Sequence, residues 1–165
     1  MFISKKMQDA INEQINAELY SAYLYLSMSA YFKCLNLDGF AKWLRVQFDE
    51  EQAHALKFYD YVLERGGSVE LKPIAKPAAT WESPMAVFKQ VLEHEQHVTA
   101  LIYKLYEVAA EEKDYASQVL LQWYVDEQVE EESNASQIVD SLKRIADHET
   151  AVLQLDHQLG KRGGE

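Results

Sequence analysis

Glutamate, glutamine and histidine interrupt the apolar stripes of four long helical segments, each near the middle of its segment. The first stripe runs Ile11, Ile15, Glu18, Ala22, Tyr25, Ser29, and the second Phe40, Leu44, Gln47, Glu51, His54, Phe58. The third runs Phe88, Leu92, Glu95, Thr99, Ile102, Tyr106, and the fourth Leu121, Tyr124, Gln128, Glu131, Ala135, Ile138, Leu142. Steps of three and four keep one face of a helix, so these polar residues stand where leucine would normally be. Unpaired carboxylates withdrawn from water are strongly unfavourable, and several converging in one core would also repel one another. Bound cations remove that objection, so the pattern points to a helical bundle with a metal site in its core.

The punctuation between the stripes sets the topology. Ser4 is a candidate N-cap for a first helix over about 4–33; a second opens at Asp38-Gly39 and closes near residue 65, at Gly66-Gly67. Only Cys34 to Leu37 separates them, which makes them antiparallel neighbours. Ser68 to Glu82, with Pro73 and Pro77, reads as a long crossover, after which Ser83-Pro84 starts a helix with a capping serine and a proline in the first turn. Helices over about 84–112 and 114–144 form a second antiparallel pair, and a short fifth helix is expected over 147–159, before the polar tail KRGGE. The expected architecture is all-α, an antiparallel four-helix bundle with a long crossover between its second and third helices, and residues 1–165 form a single domain. The hairpins also resemble each other: Phe48 to His54 lines up with Val125 to Glu131, and Glu18 corresponds to Glu95.

Composition excludes several classes. Apolar residues make up 48% of the 165 and charged residues 26%, as in a globular protein. The formal charge of -11, from 27 acidic and 16 basic residues, argues against nucleic acid and anionic membrane as partners and suits attraction of cations. No apolar run has the length of a signal peptide or a membrane span, so a cytoplasmic location is expected. The single cysteine, Cys34, allows no internal disulfide and reads as an inert thiol packed near a helix end.

Spacing then suggests chemistry. Residues three apart lie on one helix face, so Glu51 and His54 can hold one ion together. Oxygen ligands with one imidazole suit iron, manganese or zinc better than copper. If Glu51 is central it can bridge two ions, one shared with Glu18 and His54 and the other with Glu95 and Glu131, giving a di-metal carboxylate site. Taken alone, His54 would be a hydrogen-bonded core histidine; its carboxylate neighbours reverse that reading. His94 and His97 flank Glu95 but point off its face, and a surface position is expected for both.

The runs INAELYSAYLYLSM, WLRVQFDEEQAHALKFYDYVLERGG and LLQWYVDEQVEEE resemble the corresponding helices of non-haem bacterial and archaeal ferritins, and the similarity covers essentially the whole chain. The ferritin-like ligand pattern is itself a general rule of helix-bundle metal sites. The resemblance implies a ferroxidase, an iron-storage subunit that oxidises ferrous iron with dioxygen and keeps it as ferric mineral inside a hollow homo-oligomeric shell, usually of twenty-four copies. It implies that Glu18, Glu51 and His54 hold a first iron, and Glu51, Glu95 and Glu131 a second, with Gln128 beside it. It further implies a third iron site at Glu50, Glu127 and Glu130, sharing Glu131, and roles for Tyr25 and Trp123 as aromatic residues beside the centre that could supply further electrons.

Departures from neighbouring families narrow the resemblance. Bacterioferritins repeat the Glu-x-x-His pair on the fourth helix and place a haem-ligating methionine after the second-helix glutamate; this chain has Glu127 and Glu130 there, and Gln52, so no haem is expected. One cysteine cannot build the extra iron domain of rubrerythrins. Two other classes remain open at this point, a protein that buffers iron, zinc or manganese without redox turnover and a cage subunit with an inactive site. The last helix carries an apolar edge, Ala151, Val152, Leu155 and Leu159, expected to pack against copies of itself where subunits meet.

Overall fold

A computed structural model describes residues 2–146 and 148–163. The described residues form five helices and no strand: α1 (Lys5–Cys34), α2 (Asp38–Glu64), α3 (Pro84–Glu111), α4 (Tyr115–Ile145) and α5 (Glu149–Leu159). Asp147, where the sequence reading began the last helix, lies outside the described residues.

The helix starts follow from local chemistry. The Ser4 hydroxyl accepts from the Met7 amide at 3.1 Å, and Ser83 accepts from Ala86 at 3.1 Å with Pro84 in the first turn. Asp114 accepts from the Ser117 amide at 3.1 Å, so it caps α4 from outside the helix. Asn36 and Lys113, both at positive φ, turn the chain between the helices of each hairpin. Gly66 ends the α2 region at φ 69, with the Phe2 ring where a Cβ would sit.

Within each hairpin the helices are antiparallel, α1 along α2 and α3 along α4, while α1 also lies along α3. The crossover, residues 67–83, has no regular structure and runs along α1. Asn12 donates to the Ser68 carbonyl at 3.1 Å, Asn16 to Lys72 at 3.2 Å, Ser27 to Ala78 at 2.6 Å and Tyr31 to Trp81 at 2.8 Å. It therefore returns the chain along the bundle, and α3 runs parallel to α2, with Phe40 and Phe88 in edge contact at 5.5 Å near their two starts. Cys34 is exposed at the end of α1 instead of packed.

Two apolar clusters fill the bundle. One gathers Phe32, Phe40, Leu44, Phe88 and Leu142, and the other Ile11, Phe58, Ile102, Leu121 and Tyr124. The polar residues of the four stripes lie between them, shielded from water at both ends.

The short last helix folds back on its own subunit, with Val152, Leu155 and Leu159 partly buried against the bundle. The close approach of α5 to α2 depends on Gly39, where a Cβ would lie 1.6 Å from the Asp156 carbonyl oxygen. Leu37 offers no side-chain cap to α2, and the Asp156 carboxylate instead accepts from the Phe40 amide at 2.8 Å. None of the described helices is long and apolar enough to cross a membrane.

Candidate metal centre

Each of the four long helices delivers its interrupting side chains to one level of the bundle. Glu18, Glu51, His54, Glu95, Gln128 and Glu131 are all between 1 and 5% exposed. Two groups have ligand atoms close enough to share an ion: Glu18, Glu51 and His54, and His54, Glu127 and Glu131, each within 4.8 Å. His54 is common to both. Its Nδ1 lies 3.2 Å from Glu51 Oε2, and its Nε2 lies 3.8 Å from Glu127 Oε1.

Glu95 stands apart from these two groups. It accepts from the Tyr25 hydroxyl and, at 3.2 Å, from Gln128 Nε2, so its carboxylate is already engaged. Gln128 also donates towards the Glu95 carbonyl and Thr99 Oγ1, whose own hydroxyl donates to Glu132 at 2.6 Å. Tyr124 donates to the His54 carbonyl at 2.7 Å and joins α4 to α2 at the depth of the site.

The residues of the expected third site are not gathered. Glu127 faces His54, Glu50 is ion-paired with Arg162 at 2.6 Å, and Glu130 is exposed. Tyr25 is fully buried against Glu95, whereas Trp123 is 38% exposed, edge-on to His54, with the Lys57 ammonium 3.3 Å from its ring centroid. His94 is half-buried between α1 and α3, whereas His97 is exposed as expected: Ser21 Oγ lies 2.7 Å from the Nε2 of His94, and the rings of Tyr20 and Tyr25 meet it edge-on. Burial, with His97 nearby, pushes its pKa down to about 4. The adjacency of His94 to Glu95 in sequence hid this, because a long helix packed on two sides buries more than one stripe.

The electrostatics are those of acids held without enough counter-charge. Burial raises Glu18, Glu51 and Glu95 above the ordinary carboxylate range and pushes Glu131 up to about 8. Mutual repulsion adds to it: Glu51 acts on Glu18, Glu95 and Glu131 act on Glu51, and Glu95 acts on Glu131. Burial, then Glu95 and Glu51, likewise hold the Tyr25 hydroxyl protonated. Glu18 Oε1 accepts from Gln14 at 2.8 Å, but its Oε2 is buried with no hydrogen-bond partner. An oxygen-rich set with one imidazole and one orphaned carboxylate oxygen fits a divalent cation of the iron, manganese or zinc type.

Sequence reasoning did not single out four supports. Gln14 precedes Glu18 by one turn, and Thr99 and Gln47 lay on the stripes without an assigned role. Gln47 Nε2 donates to Glu131 at 2.6 Å and more weakly to Glu51 at 3.4 Å. Arg162, in the tail beyond α5, donates to Gln47 Oε1 at 2.8 Å, a contact for which sequence spacing holds no signal.

The model of the Ferritin-like domain family matches residues 8–145. The chain is 47% identical over 160 residues to the bacterial non-heme ferritin of Bacteroides fragilis (strain 638R), covering 97% of this chain and 99% of that one. It is 38% identical to that of Staphylococcus aureus (strain USA300), with 97% and 96% covered. Among solved structures, the open pore ferritin of the archaeon Archaeoglobus fulgidus superposes with a TM-score of 0.96 at 52% identity, covering 97% and 98% of the two chains. A humanized archaeal ferritin gives 0.97 at 53% identity, with 99% of each covered.

Proposed function

This chain belongs to the ferritin family, and from that premise we propose that it is a cytoplasmic iron-storage subunit whose bundle oxidises ferrous iron with dioxygen. Ferrous iron is the substrate. The observation that carries the reading is the buried cluster of Glu18, Glu51 and His54 with an orphaned Glu18 oxygen, an arrangement that a cation relieves.

Glu18, Glu51 and His54 take the first ion. Glu51, Glu95 and Glu131 take the second, with Gln128 beside it; Glu95 enters through Oε2, exchanging its contact with Gln128 for the cation while Oε1 keeps Tyr25, and Glu127 stands within reach of the same place. Each ferrous ion gives up one electron, and dioxygen with two protons leaves as peroxide. The chain's part is to fix the two ions side by side and to balance their charge. Glu127, then exposed Glu130 and Glu50 once it leaves its ion pair with Arg162, form the route by which ferric iron moves on towards a cavity enclosed by many copies, twenty-four in the closed shell we infer.

Of the two aromatic residues, Tyr25 suits electron donation better. Its hydroxyl already faces a carboxylate that can take the proton as the electron leaves. An ammonium over the face of Trp123 makes removal of an electron from that ring harder.

The test is to load metal-free protein anaerobically with ferrous iron and mix it rapidly with dioxygen. A fast phase that consumes about two irons per subunit is expected, and Glu51→Ala should abolish it while leaving the helical content intact. The same fast phase in the variant would overturn the reading.

A further inference from the structure

We propose that Arg162, on the turn that follows α5, is a positioning residue of the metal centre, acting through Gln47 on Glu131 and Glu51. The proposal rests on the metal-centre reading above and extends it to a part of the chain outside the four-helix bundle.

Arg162 reaches back across α2. Its Nη1 donates to Gln47 Oε1 at 2.8 Å, its Nη2 donates to Glu50 Oε2 at 2.6 Å, and the guanidinium lies over the Trp43 ring at 4.5 Å. Three contacts hold a side chain that is only 23% exposed. On the far side of Gln47, which is fully buried, the amide Nε2 donates to Glu131 Oε2 at 2.6 Å and to Glu51 Oε1 at 3.4 Å.

Donor and acceptor inventories give this chain of contacts its direction. A guanidinium only donates and an ionised carboxylate only accepts, whereas an amide presents one group of each kind at its two ends. Once a bound cation has ionised the carboxylates, Arg162 on one side and Glu131 and Glu51 on the other leave the Gln47 amide one satisfied orientation. Turned over, it would set NH2 against guanidinium and carbonyl oxygen against carboxylate. Without Arg162 the buried carbonyl loses its donor, and the side chain is free to move away from Glu131. Partners that orient the ligands of a metal in this way typically change its affinity by about 10–100-fold when removed.

The experiment is an anaerobic Co2+ titration of the full-length protein, followed by visible absorption, which reports the ligand field of each ion as well as its affinity. The wild type tests the metal-centre reading: if it takes up no Co2+ in the bundle, that reading fails whatever Arg162 does. The Arg162 variants are compared in a Glu50→Gln background, so that Glu50 freed from its ion pair adds no binding site of its own. Arg162→Met should weaken binding of the second Co2+ about tenfold and alter its spectrum. Gln47→Met, which keeps side-chain length without the amide, should do the same, and the two together should do no more than Gln47→Met alone. Arg162→Lys keeps a donor and should recover part of the loss. Light scattering and thermal melting of each variant separate loss of folding or assembly from loss of positioning. Parent affinity and spectrum in the Arg162→Met protein, or losses that simply add, would overturn the proposal.

Discussion

At the scale of single residues, the centre is a group of acids whose protonation depends on what fills it. The folded-state pKa values of Glu18, Glu51, Glu95 and Glu131 are raised, the last to about 8, against an ordinary value of 4.5. For such groups the native state binds more protons than the unfolded chain between the two values, so stability falls as pH rises. Their stabilising contribution is complete below about 4.5 and is lost as pH rises through the folded values. Metal-free protein should therefore melt at a lower temperature at pH 8 than at pH 6, and saturating Zn2+ should remove most of the difference. Calorimetry in both states checks this, and a metal-free melting point that climbs over the same interval would contradict it. Because the same carboxylates must lose protons to bind a cation, metal uptake should release protons, more at pH 6 than at pH 8. Tyr25→Phe removes the proton donor to Glu95 and should leave the first fast oxidation in place while lowering the electrons delivered per dioxygen at low iron loading, read as more peroxide released per dioxygen consumed. Most of these residues were legible in the sequence, because a charged group on an apolar stripe violates a strong rule. Gln47 and Arg162 were not: an amide on the stripe passes for tolerated polarity, and a tail arginine says nothing of what it folds back to touch.

At the scale of elements, stripe period, capping serines, proline and glycine positions all point to the same bundle, and the first four helices lie within a residue or so of where those signals place them. The role of α5 was less legible. An apolar edge on a short helix shows that something covers it without saying whether the cover is another subunit or the chain itself. The contact at Gly39, a residue that in sequence reads only as part of a helix start, makes the chain itself supply part of that cover. Asp156→Ala should remove the distant cap of α2 and destabilise the metal-free protein by about 1 kcal/mol. Gly39→Ala should do worse, since the added methyl group meets the α5 backbone and forces the two helices apart. Thermal melting with circular dichroism checks both. A Gly39→Ala variant as stable as the parent would mean that α5 docks less tightly than the geometry implies. Loss of that docking should also release the turn carrying Arg162, so the Gly39→Ala protein is expected to share the weakened second-cation binding of Arg162→Met.

At the scale of the whole molecule, the chain leaves large apolar side chains exposed. Leu71, Tyr115, Val119 and Val129 are each more than half exposed, which suits burial against further copies. A net charge of -11 favours the gathering of cations by the assembled particle. We expect a hollow particle of about twenty-four subunits in solution, since closed symmetry repeats one set of contacts. A chain cut after Arg144 should run as smaller species, because it loses α5 and with it the packing of the bundle end. Light scattering of both forms tests this; a full-length protein that stays monomeric or dimeric at every salt concentration would remove the storage role while leaving the oxidation chemistry intact. The proposed chemistry needs less than a shell, because its candidate ligands all lie inside the four helices of one subunit. Its most direct test is an anomalous difference map, recorded at the iron edge, from crystals exposed to ferrous iron. Two neighbouring peaks are expected within one subunit, one against Glu18, Glu51 and His54 and the other against Glu131. Ordered iron found only on the outer surface or between subunits, with these side chains unmoved, would refute an oxidation centre inside the bundle.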